Sequence, residues 1–460
     1  MFWLVYSRSF TENNWLYQPK TNFYKQLKTN SILKKITQNP FLKQSLSTLF
    51  LRISGVLLLF GFTIFLTKSY TPKLVGQYDF VRSFLLAIGS MCLLGFDQSI
   101  LYFKGRLASQ SAIEELKKVY IKMLTMLFVT SILVLVVILI IDKRIINNYF
   151  ADQDVYSILL KGAATLFFYA IFTLNTEVFR ALDKLYVAEL FRNILKYIPL
   201  FIGSIALFYW NKETYLVDVF LIGFIILAIV SSILLFSYLS KMAEVEIKEN
   251  ISHKEVFLKS YPIAISGMAL FLLMCFDIMF LKKYRNDETV AFYSVGVKLM
   301  TIVSVIIVTI NITISAKIAE FYANQNITEL KKVMRKSVRL IFGITFPVIL
   351  LMCIFSEYVL SFFGHQYIAA HEPFLILIIG QGICSAFGSA PVYLNMTGRQ
   401  HIFQIILIIA VAINFVLNRF LIPVYGMTGA AVAFVSSSFF WNFVTTVFIY
   451  KRDKVKIFLH

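Results

Sequence analysis

The sequence predicts an all-α polytopic membrane protein of about 12 transmembrane helices, arranged as two six-helix lobes related by a parallel repeat. Three observations lead there. Of the 460 residues, 58% are apolar and 15% charged, with a mean hydropathy of +0.75; a soluble domain carries about 25% charge at a comparable apolar share. Apolar runs of about 20 residues, enough to cross roughly 30 Å of hydrocarbon, recur from residue 47 onward. Short motifs of the first half also return in the second.

Residues 1–40 are polar and basic, with the short patch Phe2-Trp3-Leu4-Val5-Tyr6. They lack the apolar core of a cleavable signal and read as a cytoplasmic arm, with Trp3 and Trp15 suited to an interfacial anchor. The first lobe, 41–250, holds runs at 47–67, 80–103, 119–141, 157–179, 186–209 and 217–239. The second lobe, 251–460, holds runs at 256–281, 291–316, 338–356, 372–393, 402–422 and 428–450.

Alternate loops differ in basic charge. The N-terminal side holds about 29 of the 44 Lys and Arg, from the arm through Lys117, Lys118, Lys331, Lys332 and Arg335 to Lys451, and the other side about nine, among them Lys73, Lys143, Lys282 and Arg285. Positive-inside topology therefore predicts that both termini are cytoplasmic, and it accounts for most of the net charge of +19 without a nucleic-acid partner. The remaining cations, Arg52, Arg82, Lys122, Lys161, Lys196 and Lys298, fall inside or at the edge of spans. Cys92, Cys275, Cys353 and Cys384 are scattered through apolar runs, so neither a metal site nor a disulfide is expected.

Glu115-Leu116-Lys117-Lys118-Val119 with Lys122 returns as Glu329-Leu330-Lys331-Lys332-Val333 with Lys336, about 214 residues on. Phe41-Leu42-Lys43 returns as Phe257-Leu258-Lys259, and Val75-x-x-Tyr78 as Val290-x-x-Tyr293. Six spans per repeat is an even number, so the halves share one orientation and their pseudo-two-fold axis runs along the membrane normal. Leu116, Val119, Tyr120 and Met123, like Leu330, Val333, Met334 and Ser337, recur at helical spacing among lysines; they are expected to form basic amphipathic helices on the inner leaflet. Asn326-Ile327-Thr328 matches a glycosylation sequon but falls on the cytoplasmic side.

The run Asn414-Phe415-Val416-Leu417-Asn418-Arg419-Phe420-Leu421-Ile422-Pro423-Val424-Tyr425-Gly426-Met427-Thr428-Gly429-Ala430-Ala431-Val432-Ala433 resembles the polysaccharide flippases of the multidrug/oligosaccharidyl-lipid/polysaccharide exporter superfamily. Val75-Gly76-Gln77-Tyr78, Gly95-Phe96-Asp97, Asp277 with Tyr293 to Leu299, and Phe363-Gly364-His365-Gln366-Tyr367 are weaker matches; Ala291 stands where the first repeat has Gly76. Read physically, Pro423 and Gly426 turn a short outer loop, and the small residues after it allow close helix packing.

The resemblance implies a flippase, not an enzyme, that carries undecaprenyl-diphosphate-linked oligosaccharide across the bacterial cytoplasmic membrane for O-antigen, capsule or similar polysaccharide. Its partners would be that lipid, membrane lipids, and polysaccharide polymerase with chain-length machinery. No cofactor is expected beyond proton or sodium coupling, and no Walker A run is present. The alternatives are a cation-coupled multidrug antiporter of the same superfamily and, further off, a membrane glycosyltransferase or polymerase. No outer loop exceeds about 20 residues, which disfavours the enzyme.

An ionisable side chain at the bilayer centre costs about 2.5–3.5 kcal/mol, so each one needs a reason. Snorkelling accounts for Lys122 and Lys161, near span ends. For Arg52, about five residues in, snorkelling and substrate binding both stay open, whereas Lys196, roughly 15 Å along the fifth span, reads as a binding residue unless that span starts late, at Asn193. Arg82 and Lys298 follow the matched Tyr78 and Tyr293 by four and five residues, which puts them at similar depths in the two lobes. Facing inward they would offer a diphosphate two convergent cations, one with the fork geometry that suits phosphate oxygens. Asp277 would neutralise Lys298 between substrates, or form a plain structural pair with it. Asp97 and Glu177 are candidates for a coupling acid, although Glu177 is also placed for a salt bridge to Arg180.

Overall fold

The computed structural model describes residues 40–106, 112–240 and 251–459. The predicted arm, apart from Pro40, lies outside them. Every regular element among the described residues is helical. In the first half these are α1 (Pro40–Ser69), α2 (Pro72–Cys92), α3 (Phe96–Arg106), α4 (Ala112–Ile140), α5 (Lys143–Phe150), α6 (Val155–Ala181), α7 (Leu185–Asn193), α8 (Ile198–Tyr209) and α9 (Leu216–Ser240). The second half has α10 (His253–Tyr284), α11 (Asp287–Ala323), α12 (Ile327–Ile354), α13 (Ser356–Ser361), α14 (His371–Ser385), α15 (Ala390–Met396) and α16 (Gln400–Asp453).

Helix starts follow from capping chemistry. The Ser252 hydroxyl accepts from the Glu255 amide at 3.1 Å, the Asn286 side chain from the Thr289 amide at 2.9 Å, and the Asn326 side chain from the Glu329 amide at 3.2 Å. The residue that resembled a glycosylation acceptor is thus the N-cap of α12. Pro72 stands at the start of α2, where a missing N–H costs nothing.

Three sequence expectations need correction. The second span begins at Pro72 and is bent by 43° between α2 and α3, where Leu94 (φ 49°) and Gly95 (φ 76°) leave the right-handed region. The fifth span is interrupted by a 3-10 turn, Leu195–Tyr197, between α7 and α8. The basic amphipathic stretches are not separate surface helices. They are the first turns of α4 and α12, and Leu116, Val119, Tyr120 and Met123, like Leu330, Met334 and Ser337, are buried against protein. By length and composition, with α16 counted once, ten helices among the described residues are able to cross a membrane, or eleven with the bent pair counted as one span, against the 12 expected.

The largest of those helices accounts for part of the difference in count. A straight helix of 54 residues would be about 80 Å long, over twice the hydrocarbon thickness. Instead α16 breaks at Gly426 (φ 59°, ψ −129°), a conformation closed to side-chain-bearing residues. A Cβ on Gly429 would stand 2.5 Å from the Leu421 carbonyl oxygen, so the chain has folded back on itself without a loop. The Arg285 guanidinium sits in this corner, donating to the carbonyls of Ile422, Pro423 and Val424 at 3.3, 3.1 and 3.4 Å. Those are carbonyls that the break deprives of helical donors.

One apolar core lies wholly within residues 93–256, a second within 269–457, and a third mixes residues of both halves. The second core takes in Val455 and Ile457, buried beyond the end of α16, and the Leu459 amide donates to the Ala386 carbonyl at 2.9 Å. The halves meet along α2 and α3, which pack on α10 and α11. At the end that the sequence assigns to the outside, a Cβ on Gly76 would stand 1.8 Å from the Asp287 carbonyl oxygen. At the opposite end a Cβ on Gly95 would lie 2.7 Å from the Ser260 oxygen, and the Ser99 and Ser260 hydroxyls bond at 2.6 Å.

Candidate functional site

Near the outer end of that seam, one turn past Gly76, the two halves share a carboxylate. Asp79, a little over two turns into α2, is fully buried at 0% exposure, and Lys298 of α11 reaches both its oxygens, at 2.8 and 2.9 Å. Arg82, one turn further along α2, donates its Nε to Asp79 Oδ1 at 3.2 Å. The Lys298 side chain is 4% exposed and that of Arg82 28%, so the guanidinium borders open space while the ammonium does not. Lys298 Nζ also stands 5.6 Å from the centre of the Tyr78 ring. One acid against two cations leaves the cluster with one positive charge in excess, inside a protein where an uncompensated charge is expensive. Such a centre attracts an anion.

Asp277 does not pair with Lys298. Its carboxylate accepts from the Tyr293 hydroxyl at 2.8 Å, from Asn418 Nδ2 at 2.8 Å and from Asn414 Nδ2 at 3.4 Å. Helical register explains the difference. Lys298 lies five residues beyond Tyr293, more than a full turn, and points to α2, while Tyr293 points to Asp277 of α10, which in turn faces α16. Asn418 Nδ2 also donates to Asn414 Oδ1 at 3.0 Å, and Asn418 Oδ1 is buried without a partner among the described residues.

The other sequence candidates are not drawn into the Asp79 cluster by a direct bond. Arg52 makes a two-pronged bond to Glu189, at 2.6 and 3.0 Å, which Asn193 supports at 2.8 Å. Glu177 bonds to Arg192 and lies 3.6 Å from Arg180, so the expected salt bridge is the longer of two. Lys196 sits in the 3-10 turn with its ammonium 4.7 Å from the Tyr197 ring centre. Asp97, partly buried, occupies the first turn of α3 just past the bend, where a helix N-terminus favours a carboxylate.

Sequence reasoning missed Asp79, Glu189 and Arg192. The signal was available: Asp79-x-x-Arg82 and Glu189-x-x-Arg192 both have the spacing that brings an acid and a cation onto one helix face. It also missed a second junction of the halves. Lys282, 2% exposed, donates to Asp287 at 2.5 Å and to Asp152 of the other half, beyond α5.

The family described as polysaccharide biosynthesis protein matches residues 41–315, well over half of the chain. The chain belongs to that family. The match contains Arg52, Asp79, Arg82, Asp97, Glu177, Lys196, Asp277 and Lys298. Residues 262–420 also match the MatE family. No curated protein is a significant sequence match. Among solved structures, the chain is similar to the lipid II flippase MurJ in an inward closed conformation, with a TM-score of 0.68 and 14% identity over 89% of this chain and 87% of that one. An inward-facing multidrug resistance MATE family transporter of the MOP superfamily aligns with a TM-score of 0.65 and 11% identity, over 89% and 98%. A MOP superfamily transporter from Pyrococcus furiosus, described as having a binding pocket of reversed polarity, aligns at 0.61 and 12%, over 90% and 95%. These likenesses fix the fold as that of MOP superfamily transporters.

Proposed function

We propose that this polysaccharide biosynthesis protein is a flippase, without enzymatic activity, that moves undecaprenyl-diphosphate-linked oligosaccharide across the bacterial cytoplasmic membrane. The halves 41–250 and 251–460 act as lobes that rock about their seam in alternating access. The observation that carries the reading is the convergence of Arg82 and Lys298, from different halves, on one buried carboxylate with a positive charge to spare. A diphosphate supplies the missing charge and accepts the fork geometry of arginine. Arg52 and Lys196 are the further candidate cations for the diphosphate. Asp277, with the unpartnered Asn418 oxygen beside it, is the favoured place for a coupling cation or proton, and Asp97 and Glu177 are secondary candidates.

Deleting the gene tests the reading. Lipid-linked oligosaccharide is expected to accumulate on the inner leaflet with no finished O-antigen or capsule polymer outside. Surface polysaccharide that persists while cationic dyes accumulate in the cells would favour the antiporter reading, for which the MatE match over the second half speaks.

Orientation is tested separately. A reporter that works only in the cytoplasm is expected to be active after Lys248, Gln325 or Asp453 and silent after Thr71, Asp142 or Asn286. The reverse pattern at two of these sites would overturn the assignment of inside and outside.

A further inference from the structure

Asp79 is the residue that the diphosphate reading leaves without a task. It is fully buried, it belongs to the first half, and it engages both cations the substrate would need, one of them from the second half. Around it the seam is tight. Gly76, one turn earlier on the same helix, lies against the Asp287 backbone, and the Asp79–Lys298 contact sits roughly 10 Å from the start of α2 and roughly 16 Å from the start of α11. At the matched place in the second repeat, after Tyr293, stands Ser294, whose buried hydroxyl has no partner among the described residues. The carboxylate is therefore a feature of one half only.

We infer that Asp79 is an internal stand-in for the substrate's diphosphate, holding Lys298 and Arg82 and with them the two halves while the carrier is empty, and giving up the cations when the lipid enters. The inference rests on the diphosphate reading and adds a coupling step to it. An incoming diphosphate competes for the two cations with more oxygens and more charge than one carboxylate. Displacing Asp79 from Lys298 leaves a buried carboxylate without a counter-ion, a state that proteins avoid unless water reaches the group. Water reaches it when α2 and α11 part. Substrate that reaches the cluster from the inner side thereby promotes opening of the outer end beside it, and after release the return of Lys298 to Asp79 closes it again. An empty carrier stays shut because Asp79 is already occupied.

The test uses full-length protein in nanodiscs, with its four native cysteines replaced by alanine and undecaprenyl diphosphate as the probe. Seam closure is read by crosslinking Gln77→Cys to Asp287→Cys with a short bis-thiol reagent. Asp79→Asn removes the competitor, and it is expected to bind the probe roughly tenfold more tightly than the wild type and to crosslink less without any lipid. Asp79→Ser, which copies the second repeat, is expected to do the same and guards against a folding fault peculiar to the amide. Asp79→Glu keeps the charge, and its binding is expected to stay within about threefold of the wild type. Lys298→Gln is expected to loosen the seam equally but to bind more weakly. If the wild type binds while both Asp79→Asn and Asp79→Ser bind no tighter and crosslink as the wild type does, the role of Asp79 is overturned. If the wild type does not bind the probe at all, the diphosphate reading itself fails.

Discussion

Glutamine at both Arg82 and Lys298 is expected to lower polymer export to the level of the gene deletion. The pair of substitutions leaves Asp79 buried with no cation, a defect that costs about 3–5 kcal/mol when one partner of a buried ion pair is removed. The informative protein is thus the triple variant Arg82→Gln, Lys298→Gln, Asp79→Asn, which removes the whole cluster and leaves hydrogen-bonding amides in its place. It is expected to insert at wild-type abundance and to export nothing above the deletion background. Exchanging the cations, Arg82→Lys with Lys298→Arg, keeps the charge and changes the geometry, and retains partial export. Wild-type export by the triple variant, measured as polymer per cell at matched protein level, would place the diphosphate elsewhere, with Arg52 and Lys196 next in line.

The same charges set the response to voltage. One elementary charge crossing the full field is worth about 2.3 kcal/mol per 100 mV, and the cytoplasm is negative. The empty cluster carries one positive charge, and the cluster loaded with a diphosphate of about two negative charges carries one negative charge. Outward movement of the loaded site and inward return of the empty one are then both downhill.

Valine at Gly76 is expected to abolish export for a different reason. The Cβ it adds falls 1.8 Å from a backbone oxygen of α11, and no rotamer change relieves a clash between two backbones. The helices part at that end, the seam no longer closes, and the carrier is held in one state. Because the cores within residues 93–256 and 269–457 contain none of the residues around position 76, the variant protein is expected to remain in the membrane. Export should fall at least tenfold, and the crosslink between positions 77 and 287 should be lost. Gly61→Val is the control. Gly61 also lies in a long helix, but a Cβ there meets nothing within 4 Å, so its export should stay close to wild type.

Composition and apolar runs were sufficient to predict the helical class because a chain in hydrocarbon has few ways to satisfy its backbone. What composition did not reveal was where helices bend. The windows that place 80–103 as a span see only apolar content, whereas the break at Leu94 and Gly95 exists because Gly95 presses on α10 from another part of the chain. Gly426 presents the opposite case: the turn was legible, but the absence of a loop depends on Arg285, 141 residues earlier in the sequence, meeting the freed carbonyls. At the candidate site the two cations stood out because charge in an apolar run is costly, and Asp79 did not because the apolar window that defines the second span opens at residue 80 and leaves it in the outer segment. Asp277 was matched to Lys298 on depth alone. Depth follows from sequence position, but the face a residue presents follows from packing against α16, which no single span records. Gly76, which the second repeat replaces by Ala291, stands where a Cβ would strike a neighbouring backbone.

The buried segment beyond α16 bears on how the molecule is made. Val455 and Ile457 fill the core of the second half together with Leu330, Tyr393 and Phe403, and Leu459 ties down to Ala386. The core of the first half needs nothing beyond residue 256, so it is able to form while synthesis of the second is under way. The second core lacks its last pieces until some 200 further residues have left the ribosome. Until then α12, α15 and α16 wait in the bilayer with a gap between them. Membrane proteolysis of the growing chain is expected to fall chiefly in that interval.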